Sequence, residues 1–364
     1  MPIVEREHWD TFSPARMEEL IAGAPPPAMG YLVWTRQSHG EEEVKENIEA
    51  LRARRIGHIR TGISWAEWFH PEMRPWIRWY IGEYAKHFDV LPCFTFTPPE
   101  LGIKPAVNAP PKDVRHYGKF VAEVLEELGG NFDTIELGNE WNLNTDWDPA
   151  IDPGHDVFIE MIAEGARAAK RFGKKVLLGG PSKVNLDVLE KVRLFRKRGL
   201  GKAVDILGFH NLRGTWSDRV APPPLAAQAD FLRDAWGAYG TPVWLTEYGF
   251  PPVDLEHGRW ELDHLERIQV ALFAYAVYAC LAGKIGRCYW YTYKDEVHES
   301  LRFVTTGWED RLQFHFGDTE EGGRTRLLGR VLAERGPLGV LRYAAREGLM
   351  PLVEHASLGR VLAA

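Results

Sequence analysis

Two glutamates stand out for the company they keep. Thr134-Ile135-Glu136-Leu137-Gly138-Asn139-Glu140-Trp141-Asn142 begins as an alternating apolar run and ends in hydrogen-bonding groups. The alternation predicts a buried strand. An Asn directly before a Glu at the strand's C-terminal end can hold a sugar hydroxyl beside a proton donor. Thr241-Pro242-Val243-Trp244-Leu245-Thr246-Glu247-Tyr248-Gly249-Phe250 is a second short apolar run, and it too ends in a Glu. Two carboxyls at the ends of two strands are the minimum equipment for hydrolysing a glycosidic bond.

The elements that must bring them together follow a rhythm. Apolar, β-branched or aromatic runs start near positions 29, 58, 90, 134, 175, 204, 242 and 287. Most intervals hold a helical pattern: Glu41 to Arg55, Asp113 to Leu128, a helix opened by Asp152-Pro153, Val188 to Arg198, Leu225 to Trp236, Leu262 to Ala282 and Leu327 to Ala345. Gly57, Gly129 and Gly173 supply stops. Gly165 falls on the inward face of its helix, where a missing side chain allows close packing. Eight strand-like runs alternating with helices predict an α/β chain folded as a single-domain (β/α)8 TIM barrel. An open doubly wound sheet is the alternative, but it would show a Gly-rich phosphate loop after an early strand, and none is present. The expected divisions are an N-terminal helix with a Pro-rich connector (1–28), the barrel (29–346) and a C-terminal tail packed on it (347–364). Glu296 to Gly323 is polar and reads as a long loop over the barrel mouth after strand eight.

Composition narrows the function. The chain has 364 residues, 45% hydrophobic and 26% charged, a soluble globular balance. Its net charge is -7, with no basic patch, which argues against nucleic acid as a partner. Fourteen Trp and twelve Tyr provide flat faces for sugar rings or for filling a large core. Cys93, Cys280 and Cys288 lie in apolar segments and read as buried thiols of a reducing compartment. Met1 to His8 has no apolar signal core, so the expected location is cytoplasmic. The longest apolar run, Val270 to Ala282, is too short to span a bilayer, and no membrane partner is expected. No Cys-x-x-Cys spacing suggests a metal, and no cofactor is expected.

In a barrel, functional groups collect at the C-terminal strand ends. Strand two places Arg60 and Trp65 there, and strand three ends at Thr95-Phe96-Thr97-Pro98-Pro99. Strand four gives Asn139, Glu140 and Asn142, and strand five ends at Gly179-Gly180-Pro181-Ser182. Strand six gives His210, strand seven Glu247, and strand eight Trp290, Tyr291 and Asp295. With Asn139-Glu140 after strand four and Thr246-Glu247-Tyr248-Gly249 at the end of strand seven, the chain resembles clan A of the glycoside hydrolases. Its pattern is nearest the family 39 type, which includes β-xylosidases.

That resemblance implies a retaining glycosidase acting on an oligosaccharide or glycoside. Glu247 would be the nucleophile and Glu140 the acid/base. Arg60 would hold Glu247 charged, and Asn139 would bond the sugar 2-hydroxyl. Trp290 would be a stacking floor, with His210, Tyr291 and Trp65 around the substrate. One departure stands out. Clan members often carry His-x-Tyr after strand six, and here the Tyr position is Leu212 in His210-Asn211-Leu212. An α-L-arabinofuranosidase or an endo-acting glycanase of the same clan fits the motifs as well. So do a sugar-binding barrel without catalysis, and a metal-dependent isomerase or lyase with Glu140, His210, Glu247 and Asp295 as ligands. The oligomeric state is left open.

Overall fold

The computed structural model describes residues 12–213, 223–252, 261–295, 315–320 and 322–356. Eight parallel strands close into one barrel in chain order, each bonded to its sequence neighbours and the last to the first. They are β1 (Met29–Leu32), β2 (His58–Ser64), β3 (Asp89–Thr95), β4 (Thr134–Leu137), β5 (Lys175–Leu178), β6 (Ile206–Leu212), β7 (Val243–Gly249) and β8 (Arg287–Trp290). The described helices are α1 (Pro14–Gly23), α2 (Gly40–Ala53), α3 (Trp65–Trp68), α4 (Arg74–Ala85), α5 (Arg115–Leu128), α6 (Asp156–Arg171), α7 (Leu186–Lys197), α8 (Leu225–Trp236), α9 (Leu262–Leu281) and α10 (Leu327–Arg346). The expected (β/α)8 barrel is therefore the fold.

Each strand is buried on both faces, which is why the strands read as nearly continuous apolar runs. One face meets the helices. In α5, Tyr117, Phe120, Val121, Val124, Leu125 and Leu128 make the buried stripe, at helical spacing. Gly165 of α6 does allow close packing: a Cβ there would lie 2.7 Å from Tyr117 of α5 and 3.1 Å from Leu137 of β4. The other strand face fills the barrel. Leu91, Leu177, Ile206, Trp244 and Tyr289, from five strands, pack together as an apolar plug. Cys93, Glu136, His210 and Glu247 lie toward the C-terminal ends of their strands, and Arg60, level with Leu91, reaches Cys93, Glu136 and Glu247 with its long side chain.

Two local expectations are corrected. Trp65 does not end strand two. Ser64 Oγ accepts from the Glu67 N–H and caps α3, so Trp65 becomes the first helical residue. The helix after strand four starts at Asp156, not at Asp152-Pro153. Asp152 still serves its N-terminus, accepting from the N–H groups of Val157 and Phe158.

At the chain ends, α1 lies against α10, with Glu18 and Arg342 paired on the surface. Residues 1–11, residues 357–364 and most of the loop expected over the barrel mouth lie outside the described residues. The two ends of that loop are described and joined. Arg326 grips Asp295 with two bonds of 2.7 Å, and the Asp295 N–H donates to Thr319 O at 2.9 Å. Among the described residues no helix is long and apolar enough to cross a membrane.

Candidate active site

Arg60 is the hub. It rises from β2 into the barrel and is wholly buried. Its Nε donates to Glu136 Oε2 at 2.5 Å, Nη1 to Glu247 Oε1 at 2.7 Å and Nη2 to Asn139 Oδ1 at 2.7 Å. A planar guanidinium can serve three acceptors in fixed directions where an ammonium could not. Glu136 shares parity with Glu140 in the sequence and does face the interior, where it shares the Arg60 charge.

Glu247 reaches this cluster through a bulge. Phe209 of β6 pairs with Leu245 of β7, but His210 pairs with Glu247, so β7 carries one extra residue. Strict alternation from inward-facing Trp244 would turn Glu247 outward. The bulge re-aims it.

Glu140 stands on unusual backbone. Gly138 has φ 77° and Glu140 itself φ 28°, a sparsely populated region for a residue with a Cβ. Such strain, of order 1–3 kcal/mol, persists only where the surroundings hold it. Here the Glu140 N–H donates to Gly180 O at 3.0 Å. Gly180 is also packed on His210: a Cβ there would lie 2.7 Å from the imidazole Cδ2.

His210 links the two carboxyls. Its Nδ1 lies 2.8 Å from Glu140 Oε1 and 3.6 Å from Glu247 Oε2. Nε2 has no partner among the described residues, so the proton belongs on Nδ1, where it is donated to Glu140. Burial holds the imidazole below its ordinary range, hence neutral at pH 7. Glu140, with 16% of its side chain exposed, has its carboxyl pushed up to about 7 by burial, against the pull of Arg60. Burial also raises Glu247, while His210 and Arg60 oppose the rise. Only Glu247 has a direct charge-assisted bond, so the shared proton resides on Glu140. One oxygen of each carboxyl and a ring nitrogen of His210 all lie within 4.8 Å of one another.

The aromatic residues are arranged differently from expectation. Trp290 is not a stacking floor. Tyr289 takes the inward position on β8, so its neighbour Trp290 faces the helix layer, fully buried against Tyr248 and Phe273. Trp65 packs on Tyr117 and Phe120, its ring stacked on Phe120 at 5.8 Å between centroids. Tyr291 does sit at the mouth, clustered with Leu32 and Phe316 and with partly buried Trp34 and Leu212. Leu212, in the expected Tyr position, thus contributes to an apolar wall. Trp34 was not anticipated. It follows β1, and its ring is 5.7 Å from the Arg60 guanidinium carbon. Gly62 admits it, since a Cβ there would lie 2.6 Å from the indole. Asp146 was also not anticipated; its carboxyl accepts from Asn139 Nδ2 at 2.9 Å. Asp295 is taken up by Arg326, with His315 3.3 Å away, and so stands apart from the set of Glu140, His210 and Glu247.

No family model matches the sequence, and no curated protein matches it. Solved structures do match in fold. A family 39 glycoside hydrolase from the gut symbiont Bacteroides cellulosilyticus WH2 superposes with a TM-score of 0.59 at 14% identity, over 87% of this chain and 64% of that one. An exo-β-1,4-mannosidase from Opitutaceae bacterium strain TAV5 gives 0.60 at 14% identity, over 90% and 61%. The GH53 catalytic domain of Ignisphaera aggregans gives 0.52 at 16% identity, over 93% and 98%. This chain spans less than two thirds of the length of the first two. At these identities the likeness establishes the (β/α)8 fold. What the site does rests on its own geometry.

Proposed function

We propose that this protein is a retaining glycoside hydrolase that cleaves a β-linked glycoside by double displacement. One observation carries the reading. A carboxyl poised to be protonated near neutrality, Glu140, stands within 4.8 Å of an Arg60-bound carboxylate, Glu247, oxygen to oxygen. Retaining enzymes hold their carboxyl pair roughly 5–5.5 Å apart, and inverting ones roughly 6.5–9.5 Å. The fold neighbours, a family 39 glycoside hydrolase and an exo-β-1,4-mannosidase among them, agree with it.

In this reading Glu247 Oε2, the oxygen not bound by Arg60, attacks the anomeric carbon. Glu140 gives its proton to the departing oxygen, and a glycosyl ester forms on Glu247. Glu140, now a carboxylate steadied by the His210 Nδ1–H, takes a proton from water as that water attacks the anomeric carbon and frees Glu247. Asn139 binds the 2-hydroxyl, and Trp34 is the partly exposed aromatic face beside Arg60.

The test is release of the aryl group from a panel of nitrophenyl β-glycosides and α-L-arabinofuranosides. Turnover of one sugar with retained configuration supports the reading. An inverted product overturns it.

The same geometry sets the pH profile. Loss of the Glu140 proton disables the acid, so kcat/KM should fall on the alkaline side with a midpoint near the value of about 7 that burial gives this carboxyl. Glu140→Gln should remove that limb from the residual activity.

Gly180→Ala should be costly although it adds one methyl. The new Cβ would meet the His210 ring and, at 2.8 Å, the buried Thr246 hydroxyl. Overpacking of this kind costs about 1–3 kcal/mol. A shift of His210 displaces Glu140, and misplacement by ~1 Å can cost about 10²-fold in rate. Steady-state kinetics with a thermal melt should therefore show a rate loss far larger than the loss of folded protein explains.

A further inference from the structure

Asn139 has both ends of its amide engaged before any substrate arrives. Oδ1 accepts from Arg60 Nη2 at 2.7 Å, and Nδ2 donates to Asp146 Oδ1 at 2.9 Å. A cation sits at the oxygen end and a carboxyl at the nitrogen end. The flipped amide would set NH2 against guanidinium and carbonyl oxygen against carboxyl, so only one orientation is tolerated. One N–H of Nδ2 is left over.

We infer that Asp146 is a positioning residue: together with Arg60 it locks and polarises the Asn139 amide, so that the one remaining Nδ2–H is held out as a strong donor to the sugar 2-hydroxyl. This rests on the glycosidase reading and adds to it. The Arg60 bond at the carbonyl oxygen draws electron density from nitrogen to oxygen and sharpens the remaining N–H as a donor, while the Asp146 bond fixes the plane of the amide and so where that N–H points. The effect matters most when the 2-hydroxyl contact tightens in an oxocarbenium-like transition state.

The local chain is built to return Asp146 to this place. Leu143 N–H donates to Glu140 O at 2.7 Å, and the N–H groups of Asp146 and Trp147 donate to Leu143 O, winding residues 140–147 into consecutive turns. Thr145 Oγ1 donates to Asp146 Oδ2 at 2.8 Å and fixes the other carboxyl oxygen. Trp147 is buried, its Nε1 donating to Asp152 Oδ2 at 3.1 Å, and it anchors the turn. Burial, with the Glu140 charge adding to it, pushes the Asp146 carboxyl up to about 6, so it is an acceptor at neutral pH.

The test compares Asp146→Asn and Asp146→Ala with wild type on two substrates: the glycoside that wild type turns over best and its 2-deoxy analogue. The expected result is a loss in kcat/KM of about tenfold or more on the parent sugar for Asp146→Ala. Asp146→Asn, which can still accept the Nδ2 bond without charge, should fall between. Both variants should act on the 2-deoxy analogue nearly as wild type does, because the contact they weaken is already missing there. Equal losses on both substrates, or no loss on either, would overturn the inference.

A second readout does not need turnover. With 15N-labelled asparagine, assigned through Asn139→Asp, the Asn139 side-chain amide should exchange slowly in wild type and faster in Asp146→Asn. Unchanged exchange would count against the lock. If wild type cleaves no glycoside, the glycosidase reading fails by itself, and the exchange experiment still decides whether Asp146 holds Asn139. Where Asp146→Ala fails to fold, Asp146→Asn carries both measurements.

Discussion

Glu247→Ala should abolish turnover of an activated β-glycoside, by about 10⁴- to 10⁶-fold, and added azide should restore it as the α-glycosyl azide. The side chain removed is the one of the two proposed catalytic carboxyls that Arg60 holds directly, and alanine leaves a space on the face from which it attacks. Azide can enter that space and displace the leaving group once, with Glu140 still present as acid. The product is therefore inverted. Glu140→Ala should behave differently. Its rate on poor leaving groups should drop by about 10²- to 10⁴-fold, while good leaving groups such as dinitrophenol should still depart. The glycosyl ester on Glu247 then accumulates as a burst, and azide attacks it to give the β-azide, with retention. Product stereochemistry by NMR separates the two roles. Identical azide products from both variants would refute the assignment.

Arg60→Met should have the largest effect on stability of any single change in the barrel interior. It leaves Glu136 and Glu247 buried with no cation between them. Breaking one side of a buried ion pair typically costs about 3–5 kcal/mol, and here two carboxylates are orphaned together with the oxygen of Asn139. Urea unfolding should read that loss. It should also be pH-dependent in a definite sense. Burial already raises the Glu247 carboxyl against the pull of Arg60, so without Arg60 it holds its proton to higher pH in the folded chain than in the unfolded one. The folded state then binds more protons, and the variant loses stability as pH rises above the ordinary carboxylate range. Arg60→Lys should recover part of the stability and little activity, because an ammonium cannot reach three acceptors in three directions.

The barrel was legible because parallel strands buried on both faces leave a strong signal, and all eight run starts fall within about two residues of a strand. The central polar group was legible for a related reason. Asn139, Glu140, His210 and Glu247 sit at or near strand ends, where a barrel collects its chemistry, and Arg60, third in β2, reaches Asn139 and Glu247 with its long side chain. The misses have physical causes. Trp65 was lost to a helix because the Ser64 cap acts over three residues. Trp290 was misjudged because a strand of four residues gives no sequence signal of which parity faces inward. Glu247 reaches the cluster even though plain alternation from Trp244 would turn it outward; the bulge in β7 that re-aims it carries no mark in the sequence. Asp146 acquires its role only through turns that fold it back onto Asn139. Asp295 was grouped with the site by its position after β8, and Arg326, far along the chain, takes it elsewhere.

The clamp at Asp295 has a further consequence. Lys294 and Thr319 form a β-bridge, the Asp318 N–H donates to Tyr293 O, and Asp318 is itself gripped by buried Arg54 and by the Tyr31 hydroxyl. The chain leaves the barrel and rejoins it at one stapled point. Closing a longer loop adds only about 0.6 kcal/mol per doubling of its length, so the barrel is nearly indifferent to what is spliced between these two ends. Insertions there can lengthen, shrink or be exchanged while Arg60 and its partners stay where they are. The length of chain between Asp295 and His315 can therefore change without the barrel having to relearn how to fold.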